Sequence, residues 1–95
     1  MDVAGTLTVN ATLEVNNINA ESSGDKGIDN YGRIIATGDV TGTATGKRVE
    51  VETTIYGISN YGTIEATGDV TGTATGTGTG TINRGIWNYG TIIAT

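Results

Sequence analysis

Residues 27–46 read G-I-D-N-Y-G-R-I-I-A-T-G-D-V-T-G-T-A-T-G, and this stretch decides the fold. Residues 57–76 repeat it as G-I-S-N-Y-G-T-I-E-A-T-G-D-V-T-G-T-A-T-G, and residues 85–95 repeat its first half as G-I-W-N-Y-G-T-I-I-A-T. A self-similar period of about thirty residues is typical of solenoids and repeat arrays. Because the unit is rich in Gly, Thr and Ile, it predicts one coil of a β-solenoid instead of a helical repeat.

Composition narrows the classes of function. The chain has 95 residues, enough for one domain, and its net charge is -5. Nucleic acids and anionic membranes select basic surfaces, so neither is expected as a partner. No run approaches the ~20 apolar residues of a membrane span. The absence of Cys excludes a disulfide framework.

Apolar and polar residues alternate along much of the chain, and this period of two predicts strands. The predicted fold is an all-β parallel β-helix, one domain over residues 1–95, with about three coils of roughly 27–37 residues. The coils are 2–38, 39–68 and 69–95. The predicted strands are 3–9, 13–18, 32–36, 40–45, 49–55, 62–66, 70–75 and 90–94.

Stacking the copies in register places identical residues above one another, about 4.7–4.9 Å apart. One such row is an asparagine ladder, in which each side-chain amide bonds to the next. The residue after each asparagine is a tyrosine, which alternation turns outward. The ladder is Asn30, Asn60 and Asn88, and the aromatic stack is Tyr31, Tyr61 and Tyr89 with Trp87 beside it.

The pattern G-I-x-N-Y-G-x-I-x-A-T-G resembles the degenerate repeats of bacterial surface β-helices, namely autotransporter passengers and filamentous-haemagglutinin-type adhesins. The resemblance covers residues 27–95. It implies a right-handed parallel β-helix that is exported to the extracellular space or cell surface and serves adhesion or cohesion. The opening M-D-V-A-G lacks a signal region, which leads us to expect a mature or recombinant form.

The sequence at the N-terminus continues the repeat from the point at which the C-terminus stops. The chain stops after G-T-I-I-A-T, where internal copies continue G-D-V-T-G-T-A-T, and it begins M-D-V-A-G-T-L-T. We expect uncapped ends, with Val3 in the row of Val40 and Leu7 in the row of Ala44. The chain is either an excision from a longer repeat protein or a protomer that stacks head to tail. The expected interface is Met1, Asp2, Val3, Gly5 and Leu7 against Tyr89, Gly90, Ile92, Ala94 and Thr95.

Two further surfaces suggest binding roles. Rows of threonine would tile one flat outward face, similar to that of ice-binding β-solenoids, although threonine is also simply a good exposed strand residue. The aromatic stack could serve as a platform for sugar rings or for lateral packing. The threonine face is Thr6, Thr8, Thr41, Thr43, Thr45, Thr71, Thr73 and Thr75.

Catalytic chemistry has few candidates. Without His or Cys, neither a Ser-His-Asp triad nor a Cys-His pair can form. Glu50 and Glu52 share a strand face but are typical of a solvated surface, so we expect no enzyme. We expect no cofactor; a Ca²⁺ bridging stacked Asp2, Asp39 and Asp69 is the alternative to simple solvation at a turn.

These observations predict a structural subunit of an extracellular filament that polymerises head to tail with copies of itself. The alternatives are a surface adhesin fragment that binds a glycan or a cell, and an ice-binding solenoid that uses the threonine face.

Overall fold

The computed structural model describes residues 1–47 and 53–95, which form twelve β-strands and no helix. Part of the predicted strand 49–55, with Val49 and Val51 and the paired Glu50 and Glu52, lies outside the described residues. The strands are β1 (Asp2–Ala4), β2 (Leu7–Val9), β3 (Thr12–Val15), β4 (Ile18–Ser22), β5 (Lys26–Asn30), β6 (Arg33–Ala36), β7 (Val40–Ala44), β8 (Thr54–Asn60), β9 (Thr63–Ala66), β10 (Val70–Ala74), β11 (Ile82–Asn88) and β12 (Thr91–Ala94).

The strands form three parallel sheets of four strands each, in the orders β1-β4-β7-β10, β2-β5-β8-β11 and β3-β6-β9-β12. We call these the first, second and third sheets. The chain visits them in turn and repeats the circuit, which confirms the predicted all-β parallel solenoid. The predicted coils 39–68 and 69–95 each hold one strand of every sheet. The predicted coil 2–38 holds two shorter windings, β1 to β3 and β4 to β6.

The long repeats stack in register, as their identical letters predict. Val40 lies opposite Val70, and Ala44 lies opposite Ala74. Ile28, Ile58 and Ile86 form one continuous row through the second sheet. Because neighbouring windings place the same side chain at the same position, the inward isoleucines form a core that no single winding could bury.

The first winding departs from the register that its letters suggest. Val3 lies opposite Ala20, in the row of Gly42 and not of Val40. Leu7 lies opposite Ile28 in the second sheet, so it is not in the row of Ala44. Gly5, with φ of 140°, bends the chain between β1 and β2 and splits the predicted strand 3–9. The sequence match between residues 2–8 and residues 39–45 therefore does not predict how residues 2–8 pack.

The core is narrow and almost entirely aliphatic. Its members are Val9, Ile18, Ala20, Ile28, Ile34, Ala36, Val40, Ile58, Ile64 and Ala66. The corner between the second and third sheets depends on a glycine, since a Cβ on Gly62 would overlap the carbonyl oxygen of Gly32 in the winding before it. Gly32 and Gly90 occupy the same corner. Close approach of backbones, and not a positive φ, explains this repeated glycine.

Candidate functional site

The three ladder asparagines brace the corner between the second and third sheets. Asn30 and Asn60 are fully buried, and the Asn30 Nδ2 donates to Asn60 Oδ1 at 2.7 Å. Asn60 Nδ2 donates in turn to Asn88 Oδ1 at 2.8 Å. Each amide also donates to the carbonyl of the corner glycine two residues later. The ladder therefore ties the windings together and fixes the corner of each one.

The ladder has a direction. The Nδ2 atoms of Asn30 and Asn60 point toward the winding that follows in the chain, and each also donates to a backbone carbonyl there, Thr63 for Asn30 and Thr91 for Asn60. Asn88 is in the last winding and is exposed. At the other end the ladder position is filled by Val9, which lies opposite Asn30. The row therefore ends in an exposed amide at the last winding and in the buried Val9 side chain, 6% exposed, at the first.

Each end of the solenoid exposes three strand edges. Strands β1, β2 and β3 form the edge that we call the N-terminal end, and β10, β11 and β12 form the C-terminal end. Within residues 1–47 and 53–95 no helix lies over either end. Unpaired edges of this kind invite another strand to pair with them.

The inward rows end in apolar side chains at both surfaces. At the N-terminal end, Val3, Leu7, Leu13 and Val15 are only partly covered by the core. At the C-terminal end, Ile86 is 41% exposed although it belongs to an inward row. Each inward row runs through all four windings, from the N-terminal end to the C-terminal end. The first and last residues of the four rows are Val3 and Gly72, Leu7 and Ile86, Leu13 and Ile92, and Val15 and Ala94.

The structure places the two halves of the predicted assembly interface at opposite ends of the molecule. Met1, Asp2 and Val3 lie in or beside the first sheet, whereas Ile92 and Ala94 lie in the third. In register, the inward rows that end at β12 begin at Leu13 and Val15, which the repeated letters did not identify. Alternation along 12–18 could have identified them, because it turns both side chains inward.

All five aromatic residues of the chain lie on the outer face of the second sheet and the corner beside it. The Tyr31 and Tyr61 rings are parallel within 2° with centroids 5.3 Å apart, and Tyr61 and Tyr89 are 5.4 Å apart. Trp87 contacts Tyr89 at 4.6 Å and stacks on Tyr56 at 5.2 Å. Because the stacked tyrosines cover part of each other's faces, this arrangement favours lateral packing over the stacking of sugar rings.

Charged and polar groups lie among these rings. Lys26 Nζ lies 3.5 Å from Asp29 Oδ2 and 5.8 Å from the Tyr56 ring centroid. Burial lowers the pKa of Lys26, but attraction to Asp29, Tyr31 and Asp25 outweighs it and leaves the pKa raised. Desolvation raises the pKa of Tyr61, and the neighbouring tyrosines add to that rise. The side chain of Lys26 is therefore charged, and the phenol of Tyr61 is neutral, at physiological pH.

Two buried oxygens under the aromatic face have no hydrogen-bond partner among the described residues, Asp29 Oδ1 and Ser59 Oγ. They belong to neighbouring strands and lie opposite each other in register.

The predicted threonine face is smaller in the structure. Thr41 and Thr43 lie opposite Thr71 and Thr73, but the same rows continue into Asn19 and Glu21 and then into Asp2 and Ala4. Thr8 lies in the second sheet opposite Asp29, and Thr6 Oγ1 donates to the Lys26 carbonyl at 2.6 Å. Thr45 and Thr75 lie just beyond the strands. The T-x-T array therefore covers two windings only, because the first two windings carry other residues.

The predicted aspartate stack lacks its first member. Asp39 Oδ1 accepts the backbone N–H of Asp69 at 2.8 Å, and Asn17 Oδ1 accepts that of Asp39 at 2.9 Å. Asp2 lies opposite Asn19, two positions away from this row. Within the described part of the chain no group of three or more acidic, His or Cys side chains could hold a metal ion.

Two depressions on the surface of the described residues are shallow and open. One, of about 270 Å³, lies on the outer face of the third sheet beside Ile35, Glu65 and Ile93, and the other lies beside Asp2 and Glu21. In residues 1–47 and 53–95 no helix is long and apolar enough to cross a membrane.

Neither a family model, nor a curated protein, nor a solved structure matches the chain. The resemblance to bacterial surface adhesins therefore rests on the repeat pattern alone.

Proposed function

We propose that this chain is a structural subunit that stacks head to tail with copies of itself into an extracellular filament. The observation that carries the proposal is the match between the two ends. Three parallel edges at the C-terminal end face three parallel edges of the same polarity at the N-terminal end of the next copy. A contact of this kind does not close on itself and produces an open fibre.

The internal register supplies the geometry of the junction. Continued across it, the rows bring Leu7 of the next copy over Ile86, and Leu13 over Ile92. Each contact removes apolar surface from water, at about 25 cal/mol for each Å². Because each sheet has four strands, the expected axial repeat is four strand spacings, about 19–20 Å, and not the three spacings, roughly 14–15 Å, that three coils imply.

Two isoleucines of similar exposure provide a matched test. Ile86 is 41% exposed and ends an inward row, whereas Ile93 is 46% exposed and lies on the outer face of β12 opposite Glu65. We expect Ile86→Lys to give soluble monomers, because a junction cannot bury a lone charge. We expect Ile93→Lys to leave fibres intact.

The measurements are negative-stain electron microscopy and sedimentation velocity, with circular dichroism to verify that each variant keeps its β-structure. Fibres that form equally well with folded Ile86→Lys, or a wild-type chain that remains monomeric at high concentration, would refute head-to-tail stacking.

A further inference from the structure

The tyrosine row has a geometry suited to oxidative coupling. Tyr31, Tyr61 and Tyr89 are 50%, 44% and 67% exposed, so a reagent in solution can reach all three. The Tyr61 ring lies against both neighbours, with centroids 5.3 Å and 5.4 Å away. Consecutive members of the row come from different windings, separated by about thirty residues of chain.

The chemistry requires a one-electron oxidant, such as a peroxidase acting with hydrogen peroxide. Each phenol loses one electron and one proton and becomes a tyrosyl radical with spin density at its ortho carbons. Two radicals in contact form a carbon–carbon bond between ortho positions, and each ring regains aromaticity by moving its ortho hydrogen to oxygen. Two tyrosines and one hydrogen peroxide thus give one dityrosine and two water molecules.

We propose that Tyr61 is a site of dityrosine formation, coupled to Tyr31 or Tyr89, and that the new bond fastens adjacent windings covalently. Tyr31 is the preferred partner because its ring is parallel to that of Tyr61 within 2°. Coupling within one molecule outcompetes coupling between molecules at high dilution, since the two rings are held at high effective concentration. This inference stands independently of head-to-tail stacking.

The sequence makes the product easy to map. Trypsin cleaves after Lys26, Arg33, Lys47, Arg48 and Arg84, so Tyr31, Tyr61 and Tyr89 fall in three different peptides. In the test, dilute protein is treated with peroxidase and hydrogen peroxide, and monomers are isolated under denaturing conditions. We expect dityrosine fluorescence, an intact mass lower by two hydrogens, and a peptide that joins residues 27–33 to 49–84.

Phenylalanine variants decide which residues take part, because they keep the ring and remove the phenol. Tyr61→Phe should abolish the cross-linked monomer, and so should the double variant Tyr31→Phe with Tyr89→Phe, which leaves Tyr61 without a partner. Tyr56→Phe is the control and should couple as well as the parent, since Tyr56 stacks on Trp87. Dityrosine that persists in Tyr61→Phe monomers, or that appears only in covalent dimers of the parent, would overturn the proposal.

Discussion

Asn60 is a buried polar residue whose hydrogen-bonding capacity is used almost fully. It accepts from Asn30 and donates to Asn88, to the Gly62 carbonyl and to the Thr91 carbonyl. A buried amide is costly without such partners. Here the partners come from the winding on each side, so the side chain stabilises the stack only when the register is right.

We predict that Asn60→Leu destabilises the fold by about 1–3 kcal/mol for each buried polar group that it leaves without a partner. Asn88→Leu is the matched control: it removes the same ladder bond from the other side, but Asn88 is exposed and its neighbours can reach water. Urea unfolding followed by circular dichroism should give a clearly lower midpoint for Asn60→Leu. Equal midpoints for the two variants would mean that the ladder contributes little.

The strands show where the sequence was informative. The pairs β7 with β10 and β6 with β9 follow directly from the repeated letters, because identical residues in register are the simplest way for two copies to stack. The predicted strands overlapped β4 only at Ile18, and they did not include β5 and β11. The segments of β5 and β11, K-G-I-D-N and I-N-R-G-I-W-N, include a glycine and do not alternate strictly.

The first winding and β4 could not be placed from the repeats. Strand β4 pairs with β7 only through residues of different identity, such as Ala20 with Gly42 and Glu21 with Thr43. Strands β1, β2 and β3 pair with β4, β5 and β6 in the same way, without one identical pair. The letters of residues 2–8 match another part of the repeat better than they match their true partners. The windings also differ in length, so no fixed period predicts the register. Because residues 2–8 were aligned with residues 39–45, Thr6 and Thr8 were wrongly assigned to the threonine face and Asp2 to the aspartate stack.

The corner between β8 and β9 provides a prediction at the level of one element. We expect Gly62→Ala to destabilise the fold by about 1–3 kcal/mol, because the added methyl group would push apart two windings whose backbones touch. Gly24→Ala is the control, since the nearest atom to its Cβ is the Ser22 Oγ at 3.3 Å, at the end of a short side chain that can move. Thermal unfolding should separate the two variants, and similar melting temperatures would show that the corner can relax.

In the molecule as a whole, the proposed junction would place the exposed amide of Asn88 over Val9 of the next copy, an aliphatic side chain that is 6% exposed in the single molecule. We predict that Val9→Asn strengthens stacking, because the new amide would bond to Asn30 on one side and accept from Asn88 of the neighbouring copy on the other. Val15→Asn is the matched control. It adds the same group in the same winding, but in the row of Ala36, where no ladder exists.

The concentration at which fibres first sediment measures the effect of both substitutions. It should fall for Val9→Asn and rise for Val15→Asn. A rise for both would mean that the junction does not continue the register found within the chain.

The parallel winding topology also determines how the molecule responds to force. The two termini lie in the first and last windings, and each winding contacts mainly the ones beside it. Tension applied to the termini would load the hydrogen bonds between strands in their opening direction, so they would break in succession and not all at once. Peeling away the winding that starts at Val40 would release about 30 residues, or roughly 100 Å of extended chain. A pulled molecule should therefore lengthen in discrete steps at low force, as an extensible element does, and reform by rewinding when the load is removed.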